Sequence, residues 1–231
     1  MWLLGVLMLV DVAFVVMHGL HVQAEYLHAD SIFAHPYFSI ENDKGYSERY
    51  EWAKTVLCII ALGLCFGRTR QPIYGALASV YTWILLDNAL RFHERGGLAL
   101  AGLFSFADSL FPQGARSFGE LALFATAGLA LFTLSLWSYL HSSTEHRAVG
   151  VRFLILIGAL ACFAVGVDLL HATLSNSQRY NVMLGFVEDG GELVVLSVSC
   201  AFAWLVAGKF VFAELAMIEP ARTVVTRPPA E

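Results

Sequence analysis

Charge is scarce in this chain. Asp, Glu, Lys and Arg make up 14% of its 231 residues, against roughly 25% in an ordinary soluble domain. No basic run occurs and the net charge is −5, which excludes the electrostatic footprint of a nucleic-acid binder. The four cysteines, Cys58, Cys65, Cys162 and Cys200, form no CxxC pair and all fall inside apolar stretches. Neither a zinc ribbon nor a disulfide framework fits that pattern, and each cysteine reads as a small buried hydrophobe. No internal repeat is visible. The first apolar run lacks the positive n-region of a signal peptide, so it reads as a retained first helix.

What the chain has in abundance is apolar sequence. Hydrophobic residues make up 58% and the mean hydropathy is +0.65. A membrane span needs about 20 apolar residues, and candidates lie at 2–24, 50–67, 72–92, 119–140, 150–173 and 190–213. The expected fold class is therefore all-α: an integral membrane bundle of six transmembrane helices over residues 1–219, followed by a disordered cytoplasmic tail at 220–231. The segment 98–111, bounded by Gly96-Gly97 and Pro112, is too short to span and reads as a re-entrant or interfacial helix. Arg68 and Arg70, Arg147 and Arg152, and Arg222 and Arg227 alternate with an acidic loop at 25–49. By the positive-inside rule both termini are cytoplasmic, as in a multi-pass protein of the bacterial inner membrane. Arg91 falls within the third stretch, where it reads as a salt-bridge partner.

The ionisable residues of these stretches gather at one end. A rise of 1.5 Å per residue puts His18, Glu51, Asp87, Asp168 and Glu192 about 22–25 Å above the cytoplasmic boundary. Within each helix they share a face: His18, His21 and Glu25 are three and four apart, Asp87, Arg91 and Glu94 four and three, Asp168 and His171 three, and Glu188 and Glu192 four. Charged groups in a span are costly and mark function. Histidine with carboxylate from several helices is how bundles hold metals, and a catalytic zinc takes three such ligands and keeps one position open. The metal-ligand candidates are thus His18, His21, Asp87, Asp168, His171, Glu188 and Glu192, for zinc or iron. Glu94 and Glu192 are the candidate catalytic bases, and Arg91 would orient a carboxylate or an anionic head group.

Two other readings stand beside this one. Polar helix ends complement the helix dipole, and the layer would then lock the bundle. Alternatively, Asp11, near mid-membrane, continues an ion or proton path inward, although a lone carboxylate there reads first as protonated and hydrogen-bonded. Lys209 reads as a snorkelling lysine at the cytoplasmic boundary, and His141 and His146 as solvated loop residues.

The stretches Leu86-Asp87-Asn88-Ala89-Leu90-Arg91-Phe92-His93-Glu94 and Val187-Glu188-Asp189-Gly190-Gly191-Glu192-Leu193 resemble a loose group of uncharacterised multi-pass bacterial membrane proteins. There, an acidic residue precedes a His-Glu pair and a double-acid glycine motif opens the last helix. That resemblance implies a layout and no activity. Asp168 and His171 also resemble part of the site of ceramidase-like membrane hydrolases, which implies zinc held by histidines with a Ser and an Asp. Together these observations lead to an expected membrane protein whose outward-facing His/carboxylate site binds a metal ion or small polar ligand, with metal-assisted hydrolysis or redox chemistry at the membrane surface. Ion-coupled transport and a non-catalytic subunit of a membrane complex are the alternatives. The expected partners are membrane lipids and other membrane subunits, not nucleic acid.

Overall fold

The computed structural model describes residues 2–28, 30–109, 114–167 and 178–212, and among them helix is the only regular structure. Helix α1 (Trp2–Tyr26) leads through two short 3-10 turns (Ile32–Ala34 and Pro36–Phe38) to α2 (Tyr46–Thr69), α3 (Pro72–Leu90) and α4 (Phe92–Leu100). A 3-10 segment (Ala101–Ser109) extends α4 and is kinked at Phe104. Then come α5 (Gly114–Leu140), α6 (Thr144–Ala161) with a π-helical extension (Cys162–Val167), and α7 (Gln178–Ala207), which closes on a second π-helical turn (Gly208–Phe212).

Among the described residues five helical segments are long and apolar enough to cross a membrane: Trp2–Tyr26, Tyr46–Thr69, Gly114–Leu140, Thr144–Val167 and Met183–Val211. In hydrocarbon every backbone polar group must be satisfied internally, and a helix does that. The third expected span is helical too. Its 19 residues reach about 28 Å, but Tyr74, Tyr81, Thr82, Asp87 and Asn88 dilute its apolarity. It has company that tolerates them, because α3 packs against α2, α5 and α6 and buries both tyrosines.

The centre of the bundle is α2, α3 and α7, with Cys58, Leu62, Leu77, Leu196 and Cys200 buried at its core. Helix α1 packs on α7, and α6 on α7 and α3. Helix α5 packs on α3 and α4 and stands off α6, its partner in sequence. Leucines such as Leu9 and Leu129 are exposed outward, as a lipid-facing surface requires. On α1 the polar residues Asp11, His18 and His21 are all buried while Leu9, Val12 and Val16 face out. Positions 11, 18 and 21 lie on one helical face; of the stripe read from the sequence, His18 and His21 turn inward and Glu25 is exposed.

Two boundaries differ from expectation. Arg91 is not inside a helix: it adopts the left-handed conformation (φ 53°), its N–H caps the Asp87 carbonyl at 2.6 Å, and α4 starts on the next residue. The stretch 72–92 thus breaks at Leu90, and the chain turns back. Gly96 and Gly97, expected as a boundary, lie within α4, where α5 crosses it. A Cβ on Gly119 would collide with the Gly97 carbonyl oxygen, and one on Gly97 would sit 2.9 Å from the Glu120 nitrogen. Absence of side chains there permits contact of backbone on backbone. The tail at 220–231 lies outside the described residues.

Candidate functional site

The deepest polar group is an ion pair. Asp11 of α1, expected as an isolated carboxylate, is 3.1 Å from Lys54 Nζ of α2, and both are buried. The ammonium also donates to the Leu193 carbonyl at 2.7 Å and to Ser197 Oγ at 3.2 Å, and the Ser197 hydroxyl donates to Asp11 at 2.6 Å. The Tyr50 ring lies 4.4 Å from Nζ. The three N–H donors of Lys54 therefore each have a partner, the condition under which a buried pair is tolerated. From the sequence Lys54 is one of the polar residues that open the second stretch, and nothing local marks Asp11 as its partner. Depth counted along the backbone missed it, because the side chain reaches one helical turn downward.

Nearer the end that carries the 27–45 loop, the expected polar layer divides in two. The first part is His18 and His21 under the loop. His18 Nδ1 accepts the Ile40 N–H at 3.3 Å, and the Ser39 hydroxyl lies equally close. A backbone N–H can only donate, so Nδ1 carries the lone pair and Nε2 the proton. Nε2 lies buried, without a hydrogen-bond partner, 3.9 Å from Glu41. In that tautomer His18 has no lone pair to offer a metal at Nε2. His21 is set the other way: Nδ1 donates to the Phe33 carbonyl at 2.7 Å, leaving Nε2 3.5 Å from Glu25. Both histidines pin the loop to α1.

The second part surrounds Asp87. Its carboxylate accepts the His93 backbone N–H and the His93 Nδ1–H, each at 2.9 Å. The left-handed Arg91 makes this contact, since it folds the start of α4 back over the end of α3. The imidazole stacks on Phe124 of α5 at 5.0 Å, and in the neutral ring Nε2 keeps a lone pair. The Asp87 hydrogen bond lifts the His93 imidazole above its ordinary 6.5, outweighing the lowering effect of burial. A raised pKa means the stabilisation from this pair is fully present below pH 6.5 and is lost as pH rises through the shifted value. Arg91 pairs with Asp43 of the loop and lies 3.6 Å from Glu94. Glu94 in turn is 3.6 Å from Arg116, which holds Glu120 at 2.8 Å.

These groups form the polar end of a cavity of about 610 Å³ between α3, α5, α6 and α7. Asp43, Glu48, Asp87, Arg91, His93 and Glu94 line it together with Glu120, Glu188 and Glu192. Below them the lining is apolar apart from Ser135, with Val80, Ile84, Leu131, Phe132, Leu154 and Ile157. Glu51 of α2 is buried behind this wall, within electrostatic reach of Glu192, Asp189 and Glu48.

Of the candidates from sequence, Asp87, Arg91, Glu94, Glu188 and Glu192 meet at this cavity. His18 and His21 stand apart from its lining, and Asp168 and His171 lie outside the described residues. Among the described residues no three His, Cys, Asp or Glu side chains are placed to hold a metal ion. His93, which sequence reasoning read as a solvated loop residue, is the histidine at the site. At the opposite end His146 is also not solvated: it is buried and shares a 2.7 Å hydrogen bond with the Tyr74 hydroxyl. Lys209 is exposed there and pairs with Glu145 at 2.6 Å.

No curated protein and no solved structure matches this chain. One family model, described as a domain of unknown function (DUF8692), matches residues 2–206, and the chain belongs to that family.

Proposed function

We propose that this chain is a multi-pass inner-membrane protein of six spans, both termini cytoplasmic, whose outward-facing His/carboxylate site binds a metal ion or a small polar cation. The observation that carries the reading is the cavity, with Asp87–His93 and a surplus of carboxylates at one end. Among the described residues seven carboxylates line it, against Arg91 and His93 in the lining and Arg116 beside Glu94 and Glu120, so a cation entering it gains where an anion loses. Asp87 fixes the His93 tautomer and aims Nε2, the arrangement that commonly supports a metal-bound histidine. A zinc or iron ion would take His93 Nε2 as its nitrogen donor, with Glu94 or Glu192 drawn in as carboxylate ligand or general base. Such a centre would support hydrolysis or redox chemistry at the membrane surface. An ammonium group would need no such rearrangement.

The test is calorimetric titration of the protein in nanodiscs with Zn²⁺ and, separately, with ethylammonium chloride. Saturable binding of at least one is expected. Asp87→Asn should weaken Zn²⁺ binding about 10–100-fold, the usual cost of losing a supporting carboxylate. Affinity should also fall on acidification, because the proton on His93 competes with the cation. A protein that takes up neither cation overturns the reading.

The Asp11–Lys54 pair favours a second reading, ion- or proton-coupled transport, since a titratable pair deep in a bundle marks such paths. Proteoliposome flux decides between them. Proton or cation movement that disappears in Asp11→Asn puts transport first, and tight vesicles leave the surface site as the better account.

A further inference from the structure

The cavity is longer than a small cation needs. Its polar end joins an apolar shaft, and the wall from α6 contributes only Leu154, Ile157, Leu160, Ala161 and the extension residues Ala164 and Val165. At about 610 Å³ it falls within the range of about 300–1,000 Å³ for sites of drug-sized ligands. The shaft also opens sideways. Helix α5 stands off α6, and Phe132 lines the shaft while remaining 63% exposed.

From these features we infer that the ligand is a cationic single-chain amphiphile with a primary ammonium head, which enters from the bilayer and lays its chain in the shaft. The inference rests on the cation-binding reading above and names the class of ligand. The head follows from the chemistry of the rim. Carboxylates and the His93 Nε2 lone pair are hydrogen-bond acceptors, and the rim's guanidinium, Arg91, is engaged by Asp43 and Glu94. A head that supplies both positive charge and N–H donors fits; phosphate, sulfate and carboxylate heads do not. The chain follows from the shaft, where a polar tail would lie against hydrocarbon with Ser135 as the one hydroxyl among the described lining residues. Lateral entry follows from exposed Phe132, because such a ligand already rests in the membrane with its head near the depth of Asp87.

The experiment is photolabelling of the full chain in nanodiscs with a dodecylammonium carrying a diazirine near the chain end, read by peptide mass spectrometry. Labels are expected on the α5 and α6 residues of the shaft, around Leu131, Phe132, Leu154 and Ile157. Dodecylammonium at roughly ten times its Kd should cut that labelling about tenfold by mass action, while dodecyl sulfate and dodecanol should not. A Cβ on Gly128 meets nothing within 4 Å and this glycine lines the cavity, so Gly128→Leu starts its side chain in open space, is expected to occupy the shaft and should remove the competed labelling. Labelling that no competitor reduces, or that dodecyl sulfate reduces equally, overturns the inference. Ethylammonium binding measured on wild type in parallel separates the failures. If it is present, only the amphiphile is wrong; if it is absent along with competed labelling, the cation site falls as well.

Discussion

Lys54→Met is expected to destabilise the protein by about 3–5 kcal/mol, the cost of stripping one partner from a buried ion pair. Met matches the lysine stem but leaves the Asp11 carboxylate with Ser197 alone among the partners seen here, and it strips the Leu193 carbonyl of the Lys54 ammonium. Asp11→Leu should cost a similar amount, because an ammonium would then remain without its counter-charge. The double variant is the informative one. With both charges gone the volume is similar and the polar groups left from the cradle are the Ser197 hydroxyl and the Leu193 carbonyl, and replacing a buried pair in this way is frequently neutral or stabilising. Unfolding in mixed micelles, followed for wild type, both single variants and the double, gives the coupling energy. Costs that simply add would show that the two residues act separately and that the pair does not hold α1 to the core.

Gly119→Leu is expected to separate α4 from α5 and to abolish the cation site. Overpacking ordinarily costs about 1–3 kcal/mol because side chains shift to make room. Here the obstacle is the Gly97 carbonyl, which cannot move without its helix, so the effect should reach the top of that range or exceed it. His93 rides on α4 and stacks on Phe124 of α5, so displacement of one helix from the other takes the imidazole out of position. Gly102→Ala is the control. It lies in the same region, has nothing within 4 Å of its added Cβ, and should change stability by no more than about 0.5 kcal/mol. A Gly119→Leu protein that unfolds like wild type and still binds ethylammonium would contradict the close crossing.

What the sequence revealed, and what it hid, divides along physical lines. Helical periodicity made His18 and His21 legible as one inward face of α1, while Glu25, placed on the same stripe, is exposed. Depth counting also found one end of the bundle, where Asp87, Glu188 and Glu192 line a common cavity. It failed where the backbone departs from a regular helix. Asp87 and His93 are six apart, a spacing no helix brings together, and only the left-handed Arg91 does so. It failed again where a long side chain changes level, as Lys54 does to reach Asp11. The glycine pair at 96–97 illustrates a third limit. Glycine reads as a break when its neighbours are unknown, and here it is a place for another helix to sit. Tyr74 and His146 at the other end are 72 residues apart, and nothing local marks them as partners.

The Lys54 cradle also constrains how the protein is made. An isolated charged residue at the centre of a nascent span costs about 2.5–3.5 kcal/mol to insert. Asp11 and Lys54 can offset this for each other once α2 has emerged, but the α1 backbone lies closest to α7 and meets α2 through side chains such as Tyr50 and Lys54. Ser197, which binds both charges, is 143 residues beyond Lys54. At translation rates of about 5–20 residues per second, the first two helices wait roughly 7–30 s in the membrane before α7 arrives between them. During biogenesis, therefore, the early hairpin is an intermediate held by an incomplete polar contact, and α7 is the helix that completes it.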